Sequence, residues 1–262
     1  MSDHIFMADV VQPVLIKDGG QLRSRGGHRR GLCRGGRAVV INHHDAAEAA
    51  KKIVKSIEGK GGRAVAAAGD VSRPADIERL FDIAHEHFGG TDILIANAGL
   101  QKDGAFTQLT LEDWRAVIDL DLTGAFLCAQ EAVRRFRRQG LDPKRSKALG
   151  KILFVSSVHQ TIPWAGHVNY AAAKGGVKML MESMAQELSP EKIRVNAIAP
   201  GAIRTPINKA AWDSPAALRK LLKLIPYGRI GEVEDVAAAA VWLASDAADY
   251  MVGATLTLDG GM

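Results

Sequence analysis

The feature that most constrains this chain is a rhythm of short apolar runs separated by longer segments of helical spacing. Ala38–Asn42, Asp92–Ala96, Lys151–Val155 and Arg194–Ala199 are such runs, with Val14–Ile16, Val65–Ala67 and Ala254–Leu258 as shorter or weaker ones. Between them lie segments such as Pro74 to Phe88, Leu111 to about Phe136 and Tyr170 to Leu188. The runs are apolar throughout rather than alternately, as strands are when both faces of their sheet are covered. Strands alternating with helices predict an α/β fold, a doubly wound parallel sheet with helices on both faces. A chain of 262 residues, 47% hydrophobic, suits one such domain over residues 1–262.

Charge and cysteine usage exclude several other functions. Lys17, Arg23, Arg25, Arg29, Arg30 and Arg34 against Asp18 carry the whole +5 excess, so the rest of the chain is balanced. That segment has no recognised nucleic-acid reader motif and no interleaved aromatics, so no nucleic-acid partner is expected. The apolar runs are too short to span a bilayer. The stretch up to Val11, with Asp3 and Asp9, does not read as a signal peptide. Cys33 and Cys128 form no CxxC, so neither a disulfide framework nor a metal site is expected, and a reducing cytoplasm is the default.

The chemistry-bearing residues gather at the carboxyl ends of the predicted strands, the rim where open α/β sheets bind ligands. Tyr170 and Lys174 are four residues apart and share a helix face. A tyrosine must lose its proton to act as a base, and a nearby ammonium favours the phenolate. Ser157, at the end of a strand, can hold a substrate oxygen. Asn97–Ala98–Gly99, Gly69–Asp70–Val71 and Pro200–Gly201 end three further strands. Asp70 can accept from an adenine amino group, and glycine lets backbone approach a ligand closely. After Ile41 come Asn42, His43 and His44 with no carboxylate at the first position, a pattern that tolerates a 2′-phosphate and leaves NAD and NADP both open.

Over nearly its full length the chain resembles the short-chain dehydrogenase/reductase superfamily, with its Rossmann-like fold. Ser156 to Trp164, Asn169 to Gly176, Pro200–Gly201–Ala202–Ile203 with Thr205 to Asn208, Trp242 to Ser245 and Asp259 to Met262 resemble the glucose 1-dehydrogenase subfamily within it. The resemblance implies an NAD(P)-dependent oxidoreductase acting on the C1 hydroxyl of an aldose such as glucose. It implies Tyr170 as general acid/base, Lys174 as its activator and ribose ligand, and Ser157 as the group orienting the substrate oxygen. Asn97, Ala98 and Gly99 would line the cofactor, Asp70 and Val71 its adenine, and Pro200, Gly201, Ile203 and Thr205 its nicotinamide. Gln101 and His159 would face the sugar, and the assembly would be a homotetramer. Another reductase of the superfamily, acting on a 3-oxoacyl or polyol substrate, and a cofactor-poor non-catalytic homologue are the alternatives.

Two departures stand out. The family's first strand leads into a glycine-rich turn and a helix whose N-terminus faces the pyrophosphate. Aligned without gaps, this chain has Lys17, Asp18, Leu22 and Ser24 at the expected Thr and Gly positions, and residues 17–36 lack helical apolar periodicity. Read as it stands, the segment predicts weak cofactor affinity. A compensated reading-frame shift accounts for it. Gly20 to Arg25 can be written in codons that, moved by one base, give Ala-Ser-Ser-Gly-Leu-Gly, and His28 to Cys33 similarly yield an alanine-rich helical start. The second departure is Asp121, where the superfamily usually carries Asn as a catalytic residue linking the lysine to a water relay. A carboxylate can accept a hydrogen bond but not donate one, so a modified relay is expected.

Overall fold

The computed structural model describes residues 14–17 and 38–262. Seven strands form one sheet: β1 (Val14–Lys17), β2 (Ala38–His43), β3 (Arg63–Ala68), β4 (Ile93–Ala96), β5 (Gly150–Val155), β6 (Ile193–Pro200) and β7 (Thr255–Leu258). Their order is β3-β2-β1-β4-β5-β6-β7. Seven α-helices flank it: α1 (Ala47–Glu58), α2 (Pro74–Phe88), α3 (Leu111–Ile118), α4 (Ala125–Gln139), α5 (Val168–Leu188), α6 (Pro215–Leu222) and α7 (Val233–Ala244). On one face Leu80 and Phe81 of α2, Phe136 of α4 and Met181 of α5 bury against the sheet. On the other, Ile53 and Ile57 of α1 and Leu243 of α7 do so. Each such side chain contributes about 1.5–3 kcal/mol by leaving water. The expected doubly wound architecture is present.

The sheet is not wholly parallel, which corrects one expectation. β1 runs antiparallel to both neighbours, pairing Val14 with Ile41 and Ile95, and Lys17 with Ala38. The other four pairings are parallel. The reason is physical. Leu15 and Ile16 are both buried, one in each core, so this short strand has no polar face to fix its sense. Parallel neighbours need a crossover, usually a helix, whereas antiparallel ones need only a return. The sequence of residues 18–37 offers no amphipathic helix to make that crossover.

Lys17 and Ala38 therefore meet at the amino rim of the parallel strands, opposite the ligand rim. There the Lys17 ammonium lies 3.3 Å from Asp92 Oδ1. Burial draws this lysine below its ordinary pKa, with Asp92 opposing. The ungapped alignment that put Lys17 at the start of a phosphate turn is thus corrected. Asp18, Gly19, Gly20 and the rest of that segment lie outside the described residues.

The long helix expected from Leu111 to Phe136 is interrupted. Residues Asp119–Gly124 form a π-helical turn between α3 and α4. Such widened turns re-aim side chains and are frequent at functional sites. Here the turn buries Asp121 completely.

Candidate active site

Three strand ends and one helix build the site. β5 runs into Ser156 and Ser157, both buried. Ser157 Oγ accepts from the His159 amide at 3.2 Å, starting a 3-10 turn over Val158–Gln160. That leaves the Ser157 O–H to be donated elsewhere. On α5, Tyr170 and Lys174 are one turn apart, and the ammonium lies 5.4 Å from the phenol ring centre. Asn169 holds that first turn in place. Its Nδ2 donates to the carbonyl of Lys102 at 2.9 Å, and its Oδ1 accepts from the Tyr170 amide at 2.8 Å.

Behind the phenol, Lys174 Nζ lies 3.2 Å from Asp121 Oδ2 and donates to the Val155 carbonyl at 3.4 Å. Asp121 Oδ1 accepts from the Leu100 amide at 2.8 Å. Burial works against the Lys174 charge, but Asp121 and Tyr170 outweigh it and hold the ammonium above the ordinary lysine range. Burial likewise pushes the Asp121 carboxyl up, with Lys174 and the Leu100 amide pulling it back. Gly99 passes directly over the pair. A Cβ there would sit 2.9 Å from Asp121 Oδ2, so a larger residue would displace the carboxylate.

The phenol and ammonium open onto a cavity of about 520 Å³. Among the residues singled out in the sequence, Asn97, Gly99, Gln101, Ser157, His159, Tyr170 and Lys174 line it. Pro200, Gly201, Ile203 and Thr205 close it from the end of β6. The structure sets the others apart. Asp121 lies behind Lys174, in contact with that lysine and with the Leu100 amide, and is not among the residues lining the cavity. Val71 is buried in the core, with Ala98 packed against the same cluster. Asp70, at the end of β3, accepts twice from Ser72 and lies 3.4 Å from Arg73 Nε. Burial works to raise its carboxyl, but those hydrogen bonds, with His44 and Arg73 beyond, bring it below the usual range. Asn42 is fully buried and donates to the carbonyls of Ala67 and Gly69, tying the ends of β2 and β3 together.

The outer wall was only partly legible. His159 stacks on Trp164 at 4.2 Å, and Trp164 stacks on His167 at 3.4 Å. Asp103 Oδ1 fixes His167 at 2.6 Å. His159 Nδ1 meets the Ile162 carbonyl at 3.1 Å, so that nitrogen carries the hydrogen and Nε2 is left as an acceptor. Burial draws the His159 pKa down, and His167 adds to this against the pull of the Ile162 carbonyl. Leu221, Leu224 and Met262 complete the wall; the sequence pointed to Met262 only as the end of the Asp259 to Met262 motif and to neither leucine. A signal for α6 existed: Ser214 caps it by accepting from the Ala217 amide, and Pro215 takes the first helical position. Asn169 was missed as a positioning group because a buried amide has no periodic signature.

These residues fit a nicotinamide dinucleotide at both ends. A buried ammonium beside a phenol faces the cavity under a glycine-lined rim. At the end of β2, Asn42 Oδ1 and His43 Nδ1 are buried polar atoms without hydrogen-bond partners among the described residues. The fold and crevice define an α/β oxidoreductase that uses NAD(P).

Comparison with known proteins agrees. The family described as enoyl-(acyl carrier protein) reductase matches residues 30–262. The chain is 45% identical over 227 residues to 3beta-hydroxysteroid dehydrogenase 1 of Eggerthella lenta, covering 87% of this chain and 84% of that protein. It is 41% identical over 225 residues to glucose 1-dehydrogenase 2 of Bacillus subtilis, covering 86% and 84%. A gluconate 5-dehydrogenase from Burkholderia cenocepacia, crystallised with NADP and tartrate, superposes with a TM-score of 0.76 at 33% identity, over 85% of this chain and 84% of that one. The chain belongs to the short-chain dehydrogenase/reductase superfamily, through its enoyl-(acyl carrier protein) reductase family.

Proposed function

We propose that this chain interconverts a secondary alcohol and its carbonyl compound, and that the substrate presents an apolar body beside the reacting carbon. NAD(P), when bound, supplies the hydride acceptor or donor. The remaining work falls to side chains. Ser157 gives its O–H to the substrate oxygen. In oxidation Tyr170, as phenolate, takes the hydroxyl proton while the carbinol C–H bond gives up its hydride and the C=O forms; in reduction Tyr170 returns that proton. Lys174 places positive charge next to the phenol and near the ribose. Asn97, Gly99, Pro200, Gly201, Ile203 and Thr205 bound the nicotinamide side, and Asn42, Asp70, Val71 and Ala98 the side towards the adenosine.

The character of the wall carries the substrate reading. Val158, Ile162, Leu221, Leu224 and Met262 offer no hydrogen-bonding side chain, and a hydroxyl buried against them loses its water uncompensated. A hexose has hydroxyls around its ring; an alicyclic alcohol does not. The name of the Eggerthella lenta relative supports that class. Oxidation of an aldose at C1 is the second reading, favoured by Gln101 and His159 on the same wall and by the name of the Bacillus subtilis relative. A panel of a 3β-hydroxysteroid, cyclohexanol and glucose with each nicotinamide decides. The expected kcat/KM for the apolar alcohols exceeds that for glucose by about a hundredfold or more. Turnover of glucose alone overturns the apolar reading.

The homotetramer suggested by the resemblance is part of the proposal. Phe126 on α4 and Met179 on α5 are exposed apolar side chains suited to a helix-on-helix contact between copies. Light scattering is expected to give four chains, and a monomer refutes it.

A further inference from the structure

α6 stands over the cavity with no buried residue of its own. Its apolar side chain Leu221 lines the cavity, and so does Leu224 just past its end. Leu224 is nevertheless 58% exposed, so it stands where the cavity meets solvent. Ser157 and Lys174 are buried, which puts the reacting groups at the inner end of the same space.

The cations around this mouth fall into two sets. Arg204 pairs with Glu232 at 3.1 Å and lies over the Trp212 ring, and Arg229 pairs with Asp235 at 2.7 Å. Lys209, Arg219, Lys220 and Lys223 are exposed and form no ion pair among the described residues. Asp213 is the one carboxylate in the stretch from Lys209 to Lys223. Lys220 lies one helical turn before Leu224, and Lys223 adjoins it. Arg219 and Lys223 are four residues apart, a spacing at which like charges repel on a helix. An anion at this place relieves that repulsion. Charge of one sign beside a low-dielectric cleft also concentrates ligands of the opposite sign.

We propose that the substrate is an anionic amphiphile. Its apolar body, carrying the reacting alcohol, lies along Leu221, Leu224 and Met262. Its carboxylate or sulfate, at the end remote from the reacting carbon, meets Lys220 and Lys223 at the mouth, where Arg219 and Lys209 raise the local potential. This rests on the apolar-alcohol reading above and narrows it to alcohols with a charged far end. Because both leucines are committed to the cavity, a substrate fits the pattern better than a membrane surface, which needs the apolar side of the helix turned outwards. No covalent step is involved.

The test compares two ligands that differ only in charge: a 3β-hydroxysteroid with a side-chain carboxylate and its methyl ester. Each is titrated into the full chain and followed by tryptophan fluorescence, since Trp164 lines the cavity. At low salt the acid should bind with a Kd about tenfold lower than the ester, as two or three exposed ion pairs allow. The difference should shrink towards nothing at about 1 M salt, where screening is nearly complete. Lys220→Gln/Lys223→Gln, which keeps good helix formers, should abolish the preference and leave ester binding unchanged. Arg138→Gln/Lys144→Gln removes as much charge at the amino rim and should leave the preference intact. An acid that binds no tighter than its ester overturns the proposal, as does a preference that survives in Lys220→Gln/Lys223→Gln. Sedimentation with phosphatidylglycerol vesicles that depends on Lys220 and Lys223, with no preference for the acid, overturns it in favour of a membrane surface. Selective binding of the acid without turnover counts against the functional reading alone, and failure of both ligands to bind counts against both.

Discussion

The two halves of the ligand rim are built to different standards. Around β4, β5 and β6 every strand is parallel and ends in the cavity, with Asn97, Ser157 and Gly201 all lining it. Around β1 the same sheet carries a reversed strand that delivers Lys17 to the far rim, beside Asp92. The contrast teaches which part of such a site is robust. The chemical end is held by several independent strand ends and by buried hydrogen bonds such as those of Asn169. The stretch that the resemblance assigns to the phosphates is a single run of sequence, residues 18–37, and lies outside the described residues.

The largest effect expected tests the sound half. Tyr170→Phe removes the group proposed to move the proton while leaving the ring packing, and turnover should fall by about a thousandfold. Nicotinamide titration by tryptophan fluorescence should be nearly unchanged. An enzyme that keeps wild-type rates would mean the chemistry lies elsewhere. The next effect tests the other half. A variant carrying the shifted-frame reading of residues 20–33 restores a glycine turn and an alanine-rich helical start. Each charge-assisted hydrogen bond to a phosphate is worth about 1.5–3 kcal/mol, so two of them should tighten the cofactor Kd by about a hundredfold or more. An unchanged Kd would show that the wild-type segment is no handicap. Resequencing the gene across codons 16–37 checks the frame itself.

What could be read from the sequence followed the same division. The strand ends were legible because period and motif coincide: the run Lys151–Val155 stops where Ser157 begins to matter. Tyr170 and Lys174 were legible because helical spacing alone puts them on one face. The direction of β1 was not, because Leu15 and Ile16 are apolar in either sense and only the connection decides. The π turn escaped because Asp119–Gly124 continues the helical apolar spacing, and the break shows only when Asp121 is seen turned inward to Lys174. The cavity wall from α6 escaped because its leucines serve a space formed by distant segments.

A smaller effect sharpens the account of the sound half. Gly99→Ala puts a methyl 2.9 Å from Asp121 Oδ2 and 3.4 Å from Lys174 Nζ. The loop must shift or the ion pair must open, at a cost of about 1–3 kcal/mol by analogy with overpacked interiors. Urea unfolding should show that loss, and kcat should fall with it because the ammonium is displaced from the phenol. A loss of stability with kcat intact would mean the loop moves and the pair does not.

The smallest effect lies away from the rim and asks whether the sheet's support is as uniform as its chemistry. Asp246 accepts from Lys151 Nζ at 2.8 Å and from Ser146 Oγ at 2.8 Å. Burial works to raise its carboxyl, but Lys151, Ser146 and the Lys147 amide bring it below the ordinary aspartate value. A carboxyl depressed in the fold contributes stability that is present above its unfolded pKa and lost as pH falls through the folded one. The pair is partly solvated, with Asp246 27% exposed, so its share is discounted to about 1 kcal/mol or less. Asp246→Asn should therefore lower stability slightly at neutral pH and not at all once the wild-type carboxyl is protonated. Urea midpoints at the two pH values give that difference directly, and an equal loss at both would assign the effect to packing instead of charge.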